Sequence, residues 1–232
     1  MGIFMEKVLG ILGGMGPMAT ADLFTKITAL TKASCDNDHL RVLIDSNAKI
    51  PDRTNAILYG GESPLPYMLD SALRLESMGA QCLIMPCNTA HYYINELQKA
   101  VAVPFINMIE ETAKAVPEGC RPALLATSGT IKTGLYSNAL KKRGFDLIVP
   151  EESHHMLYMA AIHDIKGGRV PDRGSFLMLL KWLKQKGADT FILGCTEIPL
   201  AFQWLEIDEP YVDATMVLAR SAITFCGKEI RE

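Results

Sequence analysis

The feature that most constrains this chain is an internal repeat with an offset of roughly half its length. Ile11-Leu12-Gly13-Gly14-Met15-Gly16 resembles Leu124-Leu125-Ala126-Thr127-Ser128-Gly129. Each is an apolar run that ends in small residues and leads into a helix-like stretch, Ala19–Thr31 in one case and Thr133–Lys142 in the other. Val42–Asp45 then parallels Phe145–Val149 as a second apolar strand. Gly79-Ala80-Gln81-Cys82-Leu83-Ile84-Met85-Pro86-Cys87 parallels Gly187-Ala188-Asp189-Thr190-Phe191-Ile192-Leu193-Gly194-Cys195, with each Gly-Ala the same distance before its cysteine. Finally, Pro104-Phe105-Ile106-Asn107 parallels Pro210-Tyr211-Val212-Asp213.

The predicted strands are short, continuous apolar runs, the pattern of strands buried on both faces of a parallel sheet. Helical patterns alternate with them, such as Leu65–Ser77 and Phe176–Lys186, each stopped by a glycine, Gly79 or Gly187. Alternating strands and helices give an α/β fold with right-handed crossovers. The repeat makes it two similar domains, each a parallel sheet flanked by helices. The expected halves are residues 1–103 plus 212–232 and residues 104–211, with residues 212–232 returning as a helix onto the first half and a site in the cleft between the halves.

The formal charge of −3 offers no basic field for nucleic acid. No apolar run approaches the roughly 18 residues needed to span a membrane. Met1–Val8 carries Glu6 and Lys7, so it reads as a first strand and not a signal peptide, with Met1–Met5 an extended start. None of the six cysteines forms C-x-x-C, and the chain is not disulfide-dense, so the expected location is a reducing cytoplasm.

Cys87 and Cys195 fall where the third strand of each half ends, and ligands in open α/β sheets bind beyond the carboxyl ends of strands. One such cysteine alone reads as a small buried hydrophobe. Two at matched places in a repeat, with Asn88-Thr89 and Thr196-Glu197 following them, point to a catalytic pair. A thiol at a helix start feels the positive end of the dipole, which lowers its pKa, and the free N–H groups there seat a carboxylate. Cys82 and Cys226 read as core residues, and Cys35 and Cys120 as incidental.

The chain also carries Gly10–Pro17, Ile50-Pro51-Asp52-Arg53-Thr54, Met85–His91, Met108–Thr112, Leu125–Thr130, Ile165–Gly168 and Gly194–Glu197 in this order. On these motifs it resembles the PLP-independent aspartate/glutamate racemases, most closely the aspartate racemases. The resemblance covers nearly the whole chain and implies two-base chemistry without a cofactor: one thiolate takes the α-proton and the other group, as a thiol, returns one to the opposite face. Because both Cys87 and Cys195 are kept, it implies reaction in both directions. It implies that Arg53 and Lys166 read the distal carboxylate of aspartate. Asn88, Thr89 and Thr196 would form a polar seat for the α-carboxylate and amino group, Asp52 would orient site groups, and Met15 and Thr127 would border the substrate. It also implies a homodimer. Taken alone, Arg53 and Lys166 would be solvated charges, and Asp52 would start a turn. Glu197 stands where glutamate racemases carry histidine, which favours aspartate as substrate. Ser153-His154-His155-Met156 departs from relatives that carry Arg or Lys in this stretch.

Other readings are weaker. Gly14-Met15-Gly16-Pro17-Met18-Ala19 fits a dinucleotide fingerprint, but Pro17 and Met15 crowd the turn, and Asp45 lies about ten residues too late. Cys87 with His91, or His154 with His155, completes no metal site. Racemisation of glutamate or of a broad set of amino acids, and a related isomerase such as maleate isomerase, remain alternatives. Arg53 and Lys166 argue against hydantoins and arylmalonates.

Overall fold

The computed structural model describes residues 6–231; Met1–Met5, read above as an extended start, lie outside them. The chain divides into two compact units. One comprises the residues up to Glu111 and from Thr215 onward, the other Thr112–Ala214.

In the first unit, β1 (Leu9–Gly13) leads into α1 (Pro17–Leu30), β2 (Val42–Ser46), α2 (Arg53–Tyr59), α3 (Leu65–Ser77), β3 (Cys82–Ile84), α4 (Ile94–Ala100) and α5 (Met108–Ala115). The second unit contains β4 (Pro122–Ala126), α6 (Ser128–Lys132), α7 (Leu135–Lys141), α8 (Glu152–Lys166), α9 (Arg173–Gln185), β5 (Thr190–Gly194), α10 (Ile198–Trp204) and β6 (Tyr211–Asp213). The division falls within α5 and at the start of α11 (Ala214–Phe225). After α11, Lys32 N–H bonds the Glu229 carbonyl, and Thr31 bridges Ile230, so the last residues pair with the first unit.

Both sheets are parallel, ordered β2-β1-β3 and β4-β5-β6. The repeat is visible in them, but it is worn at different places. In the first unit the fourth repeat position survives as a single parallel bridge, Leu83 to Phe105; in the second, the expected strand Phe145–Val149 is reduced to the bridge Ala123 to Ile148. Proline explains the second, because Pro150 has no N–H with which to extend the ladder past Ile148; it does not explain the first, since Pro210 stands at the place of Pro104 and β6 forms after it. The expected helix Thr133–Lys142 is α7, and a short helix that was not expected, α6, precedes it across Gly134, whose φ of 68° is left-handed.

Each sheet is buried under helices. β1, β4 and β5 are buried along their full length, as their apolar runs require. α3 and α9 present apolar stripes, with Met68, Ala72 and Leu75 in one and Phe176, Leu179, Leu180 and Leu183 in the other. One core gathers around Leu12, Met68, Leu83 and Cys87, and another around Leu125, Phe191, Leu193 and Cys195. Both catalytic candidates are therefore fixed in packed cores rather than carried on free loops. Among the described residues, no helix is long and apolar enough to cross a membrane.

Candidate active site

In the first unit, parallel pairing of Ile11 with Ile84, carried past the strand ends, sets the Gly14-Met15 loop beside Cys87. Met15 is buried in the same core as Cys87. The loop is tightly held. Gly14 N–H donates to Thr20 Oγ1 at 2.9 Å, and the Thr20 hydroxyl donates to the Gly16 carbonyl at 3.1 Å. Gly14 has φ 89°, and a Cβ there would strike the Asn47 backbone, so only glycine lets the loops after β1 and β2 approach so closely. Arg53, at the start of α2, ties these loops together: Nη1 donates to the Ile50 and Pro51 carbonyls at 3.3 and 3.0 Å, and Nη2 to the Met15 carbonyl at 3.3 Å. Its Nε is buried and makes no hydrogen bond. Arg53 thus braces the Met15 loop through backbone carbonyls, which the sequence did not reveal. Asp52 is the N-cap of α2 and accepts from Asn55 N–H at 2.6 Å, the local role that its sequence context allowed.

Asn88 and Thr89 are buried directly after Cys87. The helical stretch expected there begins as a tight 3-10 turn, Thr89–Tyr93, and becomes α4 only at Ile94. His91 is a buried strut. Met108 N–H donates to His91 Nε2 at 3.1 Å, so Nδ1 carries the ring proton and donates to the Cys87 carbonyl at 2.8 Å. Burial lowers its pKa to about 4, so the ring is neutral and its tautomer is fixed.

In the second unit, pairing of Ala126 with Gly194 places Thr127 beside Cys195. Gly194 is forced by crowding, since a Cβ would lie 2.8 Å from Leu124 and 3.3 Å from Tyr136. Thr127 caps α6, accepting from Thr130 N–H at 3.2 Å. The Cys195 thiol donates to Glu197 Oε2 at 2.9 Å, and the buried Thr196 hydroxyl donates to the same oxygen at 3.1 Å. Lys166, the last residue of α8, holds its Nζ 3.9 Å from Glu197 Oε1.

This chain of contacts corrects the expectation of a lowered thiol pKa at Cys195. Burial pushes the thiol well up, and the Glu197 charge and hydrogen bond push it further; Lys166 and the Glu197 backbone N–H oppose this without prevailing. Cys195 rests as a protonated thiol. Glu197, read from sequence as a mark of substrate preference, is its direct partner. Its place two residues after a strand-end cysteine, where the chain turns, was the available signal.

His154 and His155 separate. His154 stacks on Trp182 with ring centroids 4.4 Å apart, whereas His155 Nε2 lies 2.8 Å from Ser128 Oγ. Among the described residues, no group of three or more His, Cys, Asp or Glu side chains is placed to hold a metal ion. An open cleft of about 450 Å³ lined by Arg121, Arg143 and Asp146 borders the amino end of β4, opposite the strand end that carries Thr127.

Comparison with known proteins shows the family. The family described as Asp/Glu/Hydantoin racemase matches residues 12–222. The chain is 28% identical to the broad specificity amino-acid racemase RacX of Bacillus subtilis, over 94% of this chain and 97% of that protein. It is 31% identical to a glutamate racemase of Persephonella marina over 63% of this chain and 59% of the other. Among solved structures, the Picrophilus torridus aspartate racemase superposes with a TM-score of 0.85 at 30% identity, covering 97% of this chain and 96% of that one.

Proposed function

The chain belongs to the Asp/Glu/hydantoin racemase family of amino-acid racemases, and from that premise we propose that it interconverts L- and D-aspartate without a cofactor, with Cys87 and Cys195 as the two bases. The observation that carries this reading is the pair of thiols at equivalent strand ends of the two units, each in a packed core and each with its own polar support. In one direction the Cys87 thiolate takes the α-proton, and the electron pair left on carbon spreads into the α-carboxylate. The Cys195 thiol then delivers its proton to the opposite face, which leaves Cys195 as thiolate and Cys87 as thiol. The reverse reaction uses the reverse charges. Asn88, Thr89 and Thr127 are the donors proposed to stabilise the carboxylate as charge develops on it, and Thr196, whose hydroxyl donates to Glu197, is left as an acceptor for the amino group. Met15 borders the substrate, and Asp52 fixes the start of α2, and with it Arg53.

Preference for aspartate is drawn from the cations Arg53 and Lys166 and from the 30% identical neighbour titled aspartate racemase. The likeness to a broad specificity racemase gives a second reading, activity on a wider set of amino acids. The reading includes a cytoplasmic homodimer, as the resemblance implies.

The decisive experiment follows α-proton exchange of L- and D-aspartate in deuterated water for wild type, Cys87→Ser and Cys195→Ser. Each single variant is expected to lose at least a hundredfold of the racemisation rate. Undiminished exchange in both variants overturns the two-base assignment. Glutamate, asparagine and alanine assayed alongside decide between the narrow and broad readings.

A further inference from the structure

The second unit contains two buried polar groups that the reaction above does not use. Tyr158 is 1% exposed, yet its hydroxyl makes no hydrogen bond. His155, one turn earlier on α8, has a buried Nδ1 that is also unpartnered. Their rings face each other at 5.9 Å with a 30° tilt. Both lie on the side of α8 that carries Ala161, Ile162 and Ile165, a stripe where phenylalanine or leucine would pack at no polar cost. Buried hydroxyls without partners are rare because each forfeits its bonds to water.

The place of these groups in the fold suggests why they are kept. Ser128, which holds His155 Nε2 at 2.8 Å, follows Thr127, and Thr127 lies beside Cys195 through the register of β4 and β5. Tyr158 belongs to the same packed core as Cys195, and burial together with the nearby Glu197 charge keeps its phenol protonated. When Ser128 donates to Nε2, the ring proton sits on Nδ1 and His155 becomes a donor. Tyr158 O–H is a donor as well. Two unsatisfied donors, one in the core that holds Cys195 and the other tied to the loop after β4, suit a carboxylate, which only accepts.

We infer that Ser128, His155 and Tyr158 form a carboxylate-binding wall of the substrate site, with His155 Nδ1 and Tyr158 O–H as the donors and Ser128 setting the imidazole tautomer. This rests on the racemase reading and adds specificity residues to it. It also gives a role to the His154-His155 pair, in which His155 meets Ser128 and Tyr158 while His154 stacks on Trp182.

The test is calorimetric titration with succinate, a dicarboxylate with no α-amino group to react. Wild type is expected to bind it, and Tyr158→Phe and His155→Leu to bind it at least fivefold more weakly. Without ligand, Tyr158→Phe is expected to melt at the same temperature as wild type or higher, because it removes an unsatisfied group. Unaltered succinate affinity in Tyr158→Phe, no succinate binding by wild type, or a lower melting temperature for Tyr158→Phe overturns the inference. Aspartate exchange by wild type reports on the racemase reading separately, since that activity can stand while the carboxylate assignment falls. In turnover, KM is expected to rise with kcat held within threefold. A larger KM rise for aspartate than for asparagine assigns the wall to the side-chain carboxylate, and equal rises assign it to the α-carboxylate.

Discussion

Replacing Glu197 by glutamine keeps the shape of the side chain and removes its charge. In the native protein the Cys195 thiol donates to this carboxylate across 2.9 Å. At that distance two unit charges repel by about 6 kcal/mol in a medium of effective dielectric 20, the ceiling on what Glu197 costs a Cys195 thiolate. Lys166, 3.9 Å from the other carboxylate oxygen, offsets much of it, and glutamine retains a dipole that can still accept a bond. What remains is close to a hydrogen bond to a charged acceptor, about 1.5–3 kcal/mol. That corresponds to a roughly ten- to hundredfold larger thiolate population at neutral pH. Iodoacetamide alkylation of Cys195, followed peptide by peptide against that of Cys87 in the same sample, measures it. The Cys195 rate near pH 7.5 is expected to rise at least tenfold in Glu197→Gln, while the Cys87 rate stays the same. An unchanged Cys195 rate would falsify the assignment, and an equal rise at both cysteines would show altered access instead.

The same bond has a stability consequence whose sign is fixed. A thiol whose pKa is raised by folding stabilises the native state below the ordinary thiol pKa of about 8.5, and that contribution is lost as pH climbs above it. Wild type is therefore expected to lose more stability than Glu197→Gln between pH 8 and pH 10. Tyr136, raised by burial, is common to both proteins and cancels in the comparison, whereas Tyr158, raised by burial and in part by the Glu197 charge, shifts in the same direction as Cys195.

Two further predictions concern the first unit. His91 has its pKa lowered to about 4 by burial, so it stabilises the fold above its unfolded value of about 6.5 and loses that contribution as pH falls towards 4. The difference amounts to about 3 kcal/mol, and urea midpoints of His91→Gln should show a visibly flatter decline over that window than those of wild type. Arg53→Lys replaces a fork that reaches three carbonyls with one ammonium, and about 1–3 kcal/mol of stability should disappear with an unaltered urea m-value.

Much of the fold was legible because buried parallel strands and amphipathic helices each leave a distinct period. The helix read at Leu65–Ser77 has those bounds in the structure. The repeat was equally legible, since it lies in the order of short motifs. What escaped was how far each strand pairs: Phe145–Val149 is apolar enough for a strand but reduces to one bridge before Pro150. In the site, the two cysteines stood out because the repeat marked them. The function of Glu197 did not, because it depends on a turn that folds the side chain back onto a residue two positions earlier. His155 could have been found. It precedes Tyr158 by three and Ile162 by seven, on the buried face of α8, whereas His154 is turned by about 100° towards Trp182.

The two units give their thiols the same address but different surroundings. At Cys87 the support is a neutral imidazole fixed to the backbone carbonyl, which positions the residue without adding charge. At Cys195 it is a carboxylate bonded to the sulfur itself. On the proposed reaction this asymmetry cannot alter the product ratio, because enantiomers are equal in energy in water and a catalyst cannot move that equilibrium. It acts instead on the two protonation forms of the free protein. Glu197 disfavours the form with Cys195 as thiolate, so Cys195 rests as the thiol that can give a proton. After each such turnover Cys195 is left as thiolate beside a carboxylate, the less stable arrangement. Its reprotonation then completes the return to the resting form, and Lys166, 3.9 Å from Glu197, is the charge that keeps the thiolate form within reach. The pairing of Lys166 with Glu197 is thus better understood as a limit on the cost of the second thiolate than as a surface ion pair, and it links the residue first read as a reader of substrate charge to the proton balance of the thiol.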